Sequence, residues 1–238
     1  MSKALEYMET AMGKANELRY FVALSTFTLM LDAVLVYTQN TSILAVNWDY
    51  LTSSVTQGSA LVFLCCFSLF MVFVIPPLMS FIRFIAIETG ASSFFDKLIV
   101  HREEKRSYLY PISLSQYALK NNNEVAYKMA LEQTAENHEA LRMEKYSFAF
   151  LLVSVCSLLV STESTPTIMG LATDVDLSAG LFSSDNAKLL IMYIVYPSLF
   201  WIGVLRGCGF VINHANRRIY APDIYNEVHP KPKTYLDS

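Results

Sequence analysis

The chain has 238 residues, of which 53% are hydrophobic and only 16% charged, against about a quarter charged in an ordinary soluble domain. The apolar residues are gathered into blocks separated by polar stretches, a distribution that excludes an average water-soluble globule and points to segments solvated by lipid. The net charge of −3 excludes the basic surface on which phosphate-backbone recognition depends, so nucleic acid is not an expected partner.

In chain order, residues 1–20 carry Leu5, Met8, Met12 and Ala15 at helical spacing, which predicts a short amphipathic helix on the cytoplasmic membrane surface. The acids Glu6, Glu9 and Glu17, and the lack of a small-residue cleavage site, argue against a signal peptide. Residues 21–38 form the first predicted span, interrupted only by Asp32. An outer loop follows at 39–57. Its Asn40-Thr41-Ser42 matches a glycosylation acceptor but lies too close to the span to be read as one, and its Trp48 and Tyr50 suit either the outer interface or packing within the loop. The second span, 58–87, is longer than the hydrocarbon requires, so it tilts or projects inward, and Pro76-Pro77 should kink it.

Residues 88–145 make up the predicted cytoplasmic region. Residues 94–106 extend the second span inward, and Pro111 with Asn121-Asn122-Asn123 punctuates a turnaround. From there the chain has no Gly or Pro and is rich in helix formers, which predicts one continuous helix over 123–162, roughly 60 Å long at about 1.5 Å per residue. Its distal part, 146–162, is the third span, at the lower limit of spanning length. A second outer loop (163–188), a fourth span (189–212) holding Pro197 and Arg206, and a cytoplasmic tail (213–238) complete the chain. The tail's Pro222, Pro230 and Pro232, set among Tyr220, Tyr225 and Tyr235, suit an extended arm laid along another surface, the alternative being simple disorder of the final ten residues, which their terminal position favours slightly.

Orientation follows from the basic residues, which are retained on the cytoplasmic side of spans. Seventeen of the eighteen Lys and Arg lie before the first span, between Arg83 and Lys145, or from Arg206 onward, and the exception is Lys188. The two remaining loops hold Asp49, Glu163, Asp174, Asp176 and Asp185. The expected fold is therefore all-α and polytopic: four transmembrane helices with both termini in the cytoplasm and long helices extending inward, in the inner (plasma) membrane of a bacterium.

Three ionisable residues lie within the spans, where burying a charge costs at least about 2.5 kcal/mol. Arg83 is near the cytoplasmic end and can snorkel; Arg206 sits deeper. Asp32 is too short to snorkel. It is either paired inside the bundle as a packing element or faces an ion path, and Arg206 is its natural partner to test. Gly203, Gly207 and Gly209 flank Arg206 and allow another helix to approach closely. Val125, Met129, Leu131 and Leu141 form an incomplete apolar stripe on the cytoplasmic helix and, with Tyr225 and Tyr235 of the tail, are the candidate docking residues.

His101, His138, His214 and His229 have no ligand spacing, the four cysteines fall in apolar blocks, and Asp174-Val175-Asp176 reads as a solvated loop, so neither metal nor cofactor is expected. No Walker loop, nucleophile elbow or zinc-protease helix is present, and no catalytic residue is assigned. In span count alone the plan resembles flagellar-motor stators and large-pore junction channels. It lacks the Gly/Ala-rich, proline-marked spans of the former and the loop cysteines of the latter, so no residue roles carry over. Subtraction leaves a non-catalytic subunit that anchors or scaffolds an assembly of its own copies or other subunits, such as a secretion, conjugation or defence complex. The alternative is an oligomeric channel or transporter lined by Asp32 and Arg206.

Overall fold

Long apolar runs free of breakers produce the dominant elements of the computed structural model, which describes residues 18–46, 57–91, 108–174, 191–210 and 218–228. The described chain is mostly helical, and three of its helices are long and apolar enough to cross a membrane. It divides into two compact units, the first comprising residues up to Ile85 together with Met143–Cys208, the second Ala86–Arg142 together with residues from Gly209 onward.

The first membrane-length helix, α1 (Leu18–Gln39), stops where Asn40 adopts the left-handed conformation at φ 50° and donates its N–H to Val36 O, a common helix ending for Asn. The second, α2 (Gly58–Glu88), contains Pro76 and Pro77, which supply no N–H to the carbonyls one turn back. The helix absorbs this with a π turn at Phe70–Val74 directly before them, where Ile75 N reaches Phe70 O. The disturbance expected at the prolines thus takes the form of a π turn just before them. Beyond Glu88, Gly90 takes φ 70° and ends α2, while the proposed inward extension at 94–106 lies outside the described residues.

Next come a two-residue strand β1 (Tyr108–Leu109) and helix α3 (Pro111–Lys120). Pro111 does not break the chain: it opens α3, where a missing N–H costs nothing. Asn122 then turns the chain at φ 50°, and Asn123 caps the long helix α4 (Glu124–Val160) by accepting from Ala126 N at 3.1 Å. The continuous helix read from the sequence is therefore present, one residue shorter at its start and two at its end.

After α4 lies the short helix α5 (Ile168–Thr173), and then α6 (Tyr193–Arg206), an apolar helix that within the described residues is shorter than a membrane-length one. A π turn at Ile191–Val195 leads into α6 and precedes Pro197 much as in α2, and a second π turn occupies Trp201–Arg206. The core of the first unit gathers Val22 and Leu29 of α1, Phe150 and Val153 of α4, Met169 of α5 and Leu199 of α6. Phe27 of α1 meets Phe63 and Phe67 of α2 edge-on at 5.2 and 5.1 Å, an arrangement the ring quadrupoles favour. Tyr196 donates to Met169 Sδ at 2.8 Å and lies 3.2 Å from Ser154 Oγ, which joins α4, α5 and α6. Outside that core, α2 leaves Leu61, Val62, Phe73, Phe81 and Phe84 exposed; such a run is a liability in water and ordinary against acyl chains.

The described part of the tail, residues 218–228, is ordered differently from the sequence reading. Within it, residues 219–228 form strand β2 (Ile219–Tyr220) and helix α7 (Pro222–Val228) instead of a wholly extended arm, while Pro230, Pro232 and Tyr235 lie outside the described residues. β2 pairs antiparallel with β1, so the chain is not purely helical. In the second unit, Leu109, Leu114, Ala118, Ala126, Ala130 and Ile219 form the core, against which Ile224, Tyr225 and Val228 pack.

Candidate functional site

An aspartate carboxylate in an apolar helix is tolerable only if its oxygens are hydrogen-bonded. Asp32 is fully buried, and its Oδ1 accepts from Ser42 Oγ at 2.8 Å and from Ile43 N at 2.9 Å. Its Oδ2 accepts from Ile168 N at 2.6 Å. Ile43 opens a one-turn 3-10 helix, Ile43–Ala45, and Ile168 opens α5, so one carboxylate serves the N-termini of two short helices from two different connectors.

Local sequence explains how both connectors arrive there. The left-handed Asn40 folds the first connector back alongside α1, and Ser42 caps the 3-10 turn by accepting from Leu44 N at 3.4 Å. The Ser42 hydroxyl is spent on Asp32, so this connector is part of the fastening. On the other side, Thr167 caps α5 by accepting from Gly170 N at 3.1 Å and donates its hydroxyl to Ser157 O, also at 3.1 Å. Gly170 is small because Ser161 stands where its Cβ would be.

A second polar tier involves α2, α4 and α6. Arg206 Nε lies 2.9 Å from Glu144 Oε1, and while the Glu144 side chain is buried, 29% of the Arg206 side chain remains exposed. Arg83 Nη2 donates to Gly207 O at 2.8 Å, satisfying a carbonyl freed at the end of α6. The small residue at 203 makes the ion pair reachable, since a Cβ there would stand 2.5 Å from Phe148 N and 2.8 Å from Ser147 C. The helix that Gly203 approaches is thus α4 of the same chain. Gly209, in the turn after α6, takes φ 78°, a left-handed conformation open to glycine.

The structure therefore separates the two residues that the sequence proposed as a pair. Arg206 meets Glu144, and Asp32 is served by donors from the two connectors. Glu144 escapes a sequence reading because it lies just before the third apolar block, within the stretch assigned to water. The cue is nonetheless there: a carboxylate one turn before the apolar run of α4, on a chain whose other long apolar helix ends carry arginine.

Of the docking candidates, Val125 is 71% exposed, and Met129, Leu131 and Leu141 are also exposed. The α4 face that packs inside the second unit carries Ala126 and Ala130 instead. Tyr225 is committed to that core, and Tyr235 lies outside the described residues. So do Trp48, Tyr50, the segment 1–17, and His101, His214 and His229. Among the described residues no group of three His, Cys, Asp or Glu is placed to hold a metal, and the described cysteines are unbridged. The chain matches no protein-family model, no curated protein and no solved structure.

Proposed function

We propose that this protein is a four-span membrane subunit with both termini in the cytoplasm, and that it anchors or scaffolds a multiprotein assembly through its second unit. The observation that carries the reading is how the polar groups in the apolar helices are used. Asp32, Arg206 and Arg83 are each bonded within the chain, to loop donors, to Glu144 and to a helix-end carbonyl. A group lining a passage keeps part of its bonding capacity for water or ions, as in transport pathways. Meanwhile the cytoplasmic stretch of α4 leaves Val125, Tyr127, Met129, Leu131 and Leu141 exposed, an apolar surface suited to a protein partner.

The topology is supported by the two polar tiers, independently of the basic-residue count. Asp32 draws together the connectors that follow α1 and α4, which favours one side of the membrane for both. The other tier joins the end of α2, the near part of α4 and the end of α6. Alternating crossings satisfy both tiers. Because α6 spans only Tyr193–Arg206 within the described residues, the fourth crossing needs residues on either side of it.

Purification in mild detergent tests the function. The expected result is an oligomer or co-purifying chains, with loss of the association when Leu131 and Leu141 are changed to Glu. A lone monomer, together with ion flux in liposomes that Asp32→Asn abolishes, would favour the channel instead.

A further inference from the structure

In the first unit, the ends of α2 and α6 meet the near part of α4 around two arginines, and each arginine is fixed by one bond. Arg83 Nη2 donates to Gly207 O at 2.8 Å, and Arg206 Nε lies 2.9 Å from Glu144 Oε1. Gly207 directly follows Arg206, and a Cβ on it would stand 2.9 Å from Met79 Cε, one turn before Arg83, so both guanidiniums belong to one corner. The buried Cys208 lies close enough to Arg83 and to Glu144 to feel both charges. A guanidinium carries five N–H groups in a planar fork. One bond therefore sets the position of each head and leaves it further donors, in a geometry that suits phosphate oxygens. A head already held loses little more freedom when an anion arrives. Glu144 offsets only one of the two positive charges. Arg83 is exposed and 29% of the Arg206 side chain meets the outside, so a ligand can reach both. Beside Arg83, Phe81 and Phe84 are each 60% exposed.

We propose that this corner binds the headgroup of an acidic membrane lipid, with Arg83 and Arg206 donating to its phosphate oxygens and its acyl chains lying on Phe81 and Phe84. The chemistry recognised is a phosphate anion, and the apolar surface beside the arginines favours one that carries acyl chains over free phosphate. The proposal rests on the four-span reading, which sets the ends of α2 and α6 at headgroup level on the cytoplasmic side, where basic pockets between spans take up anionic headgroups. At the helix ends the remaining donors meet headgroups. A passage would need open groups along its length, and the Asp32 tier offers none, since both its oxygens are in use.

Trp201, 43% exposed in α6 and roughly 7 Å along the axis from Arg206, is the reporter, in a Trp48→Phe background that leaves it the sole tryptophan. The full-length protein is reconstituted in phosphatidylcholine vesicles containing a minor share of brominated phosphatidylglycerol or brominated phosphatidylcholine. The acidic lipid should quench Trp201 with a preference of at least about fivefold, the effect of one basic group at an anionic surface. Arg83→Gln should bring that preference close to unity, and Arg83→Lys should keep part of it. Glu144→Leu combined with Arg206→Leu, which removes one guanidinium without stranding its partner, should lower it as well. Lys128→Gln, in the second unit, should leave it unchanged. Equal quenching by the two lipids overturns the proposal, as does a preference that survives both the Arg83→Gln and the Glu144→Leu/Arg206→Leu changes, or one that Lys128→Gln lowers as much. Excess inorganic phosphate, compared with chloride at the same ionic strength, should displace little of the acidic lipid; displacement of most of it would assign the site to free phosphate and overturn the lipid reading. The vesicles present the same lipids on both faces, so these outcomes are independent of orientation and of whether other subunits co-purify.

Discussion

Asp32 is held by two backbone N–H groups and one hydroxyl, and that choice of partners governs what its replacement does. In Asp32→Asn, the remaining oxygen still serves Ser42 and Ile43 while the new amide N–H₂ confronts Ile168 N–H, leaving both donors without an acceptor there. The expected loss is about 1–3 kcal/mol, read as a lower thermal midpoint in detergent, and Asp32→Ala should lose more. An Asp32→Asn protein as stable as the wild type would mean that the acid is retained for chemistry rather than for fastening. The Glu144–Arg206 pair behaves differently, because both partners are side chains. Glu144→Leu strands a guanidinium, and since 29% of the Arg206 side chain already meets solvent, the cost falls near or below the low end of the usual 3–5 kcal/mol, at about 2–3. Glu144→Leu combined with Arg206→Leu should recover most of it. The ionisable positions in α1 and α6 were legible in the sequence as interruptions of apolar runs. Their partners were not: every residue except proline carries an N–H, so Ile43 and Ile168 have nothing in their side chains to mark them.

Among the elements, α4 was the easiest to read, since helix formers and the absence of Gly and Pro agree over 124–160. The π turns before Pro76 and Pro197 were visible only as expected disturbances, because how a helix relieves a missing N–H depends on what packs around it. Gly203 tests the contact between α4 and α6. Gly203→Leu must push against the backbone at Ser147 and Phe148, so the Arg206–Glu144 distance should lengthen and the thermal midpoint should fall by several degrees. In the second unit, the hydrogen bond to Glu227 raises the Tyr117 pKa above its usual value near 10, burial and the Glu227 charge adding to it. Because the folded form favours the protonated phenol, this contribution is complete below about pH 10 and is lost as pH rises through the raised value. Hydrogen exchange in α7 should therefore accelerate at strongly alkaline pH in the wild type, and Tyr117→Phe should exchange faster already at neutral pH without that alkaline step.

For the whole molecule, topology is the prediction with the widest consequences. In a background lacking the native cysteines, a cysteine at position 163 should react with an impermeant maleimide added to intact cells, and one at position 132 only after permeabilisation. Labelling at both positions without permeabilisation would overturn the orientation and the cytoplasmic role of the second unit. By itself the sequence determined which stretches are apolar enough to cross a membrane, about how long the main helices run and where prolines fall in them. Those properties add up residue by residue along the chain, so no knowledge of distant neighbours is needed. Only the tertiary structure decided that one carboxylate fastens two connectors, across separations of 10 and 136 residues, that Glu144 rather than Asp32 receives Arg206, and that residues 219–228 fold back as a strand and a helix. Each of these depends on which of many chemically equivalent donors or apolar surfaces is brought within about 3–4 Å, and packing makes that selection.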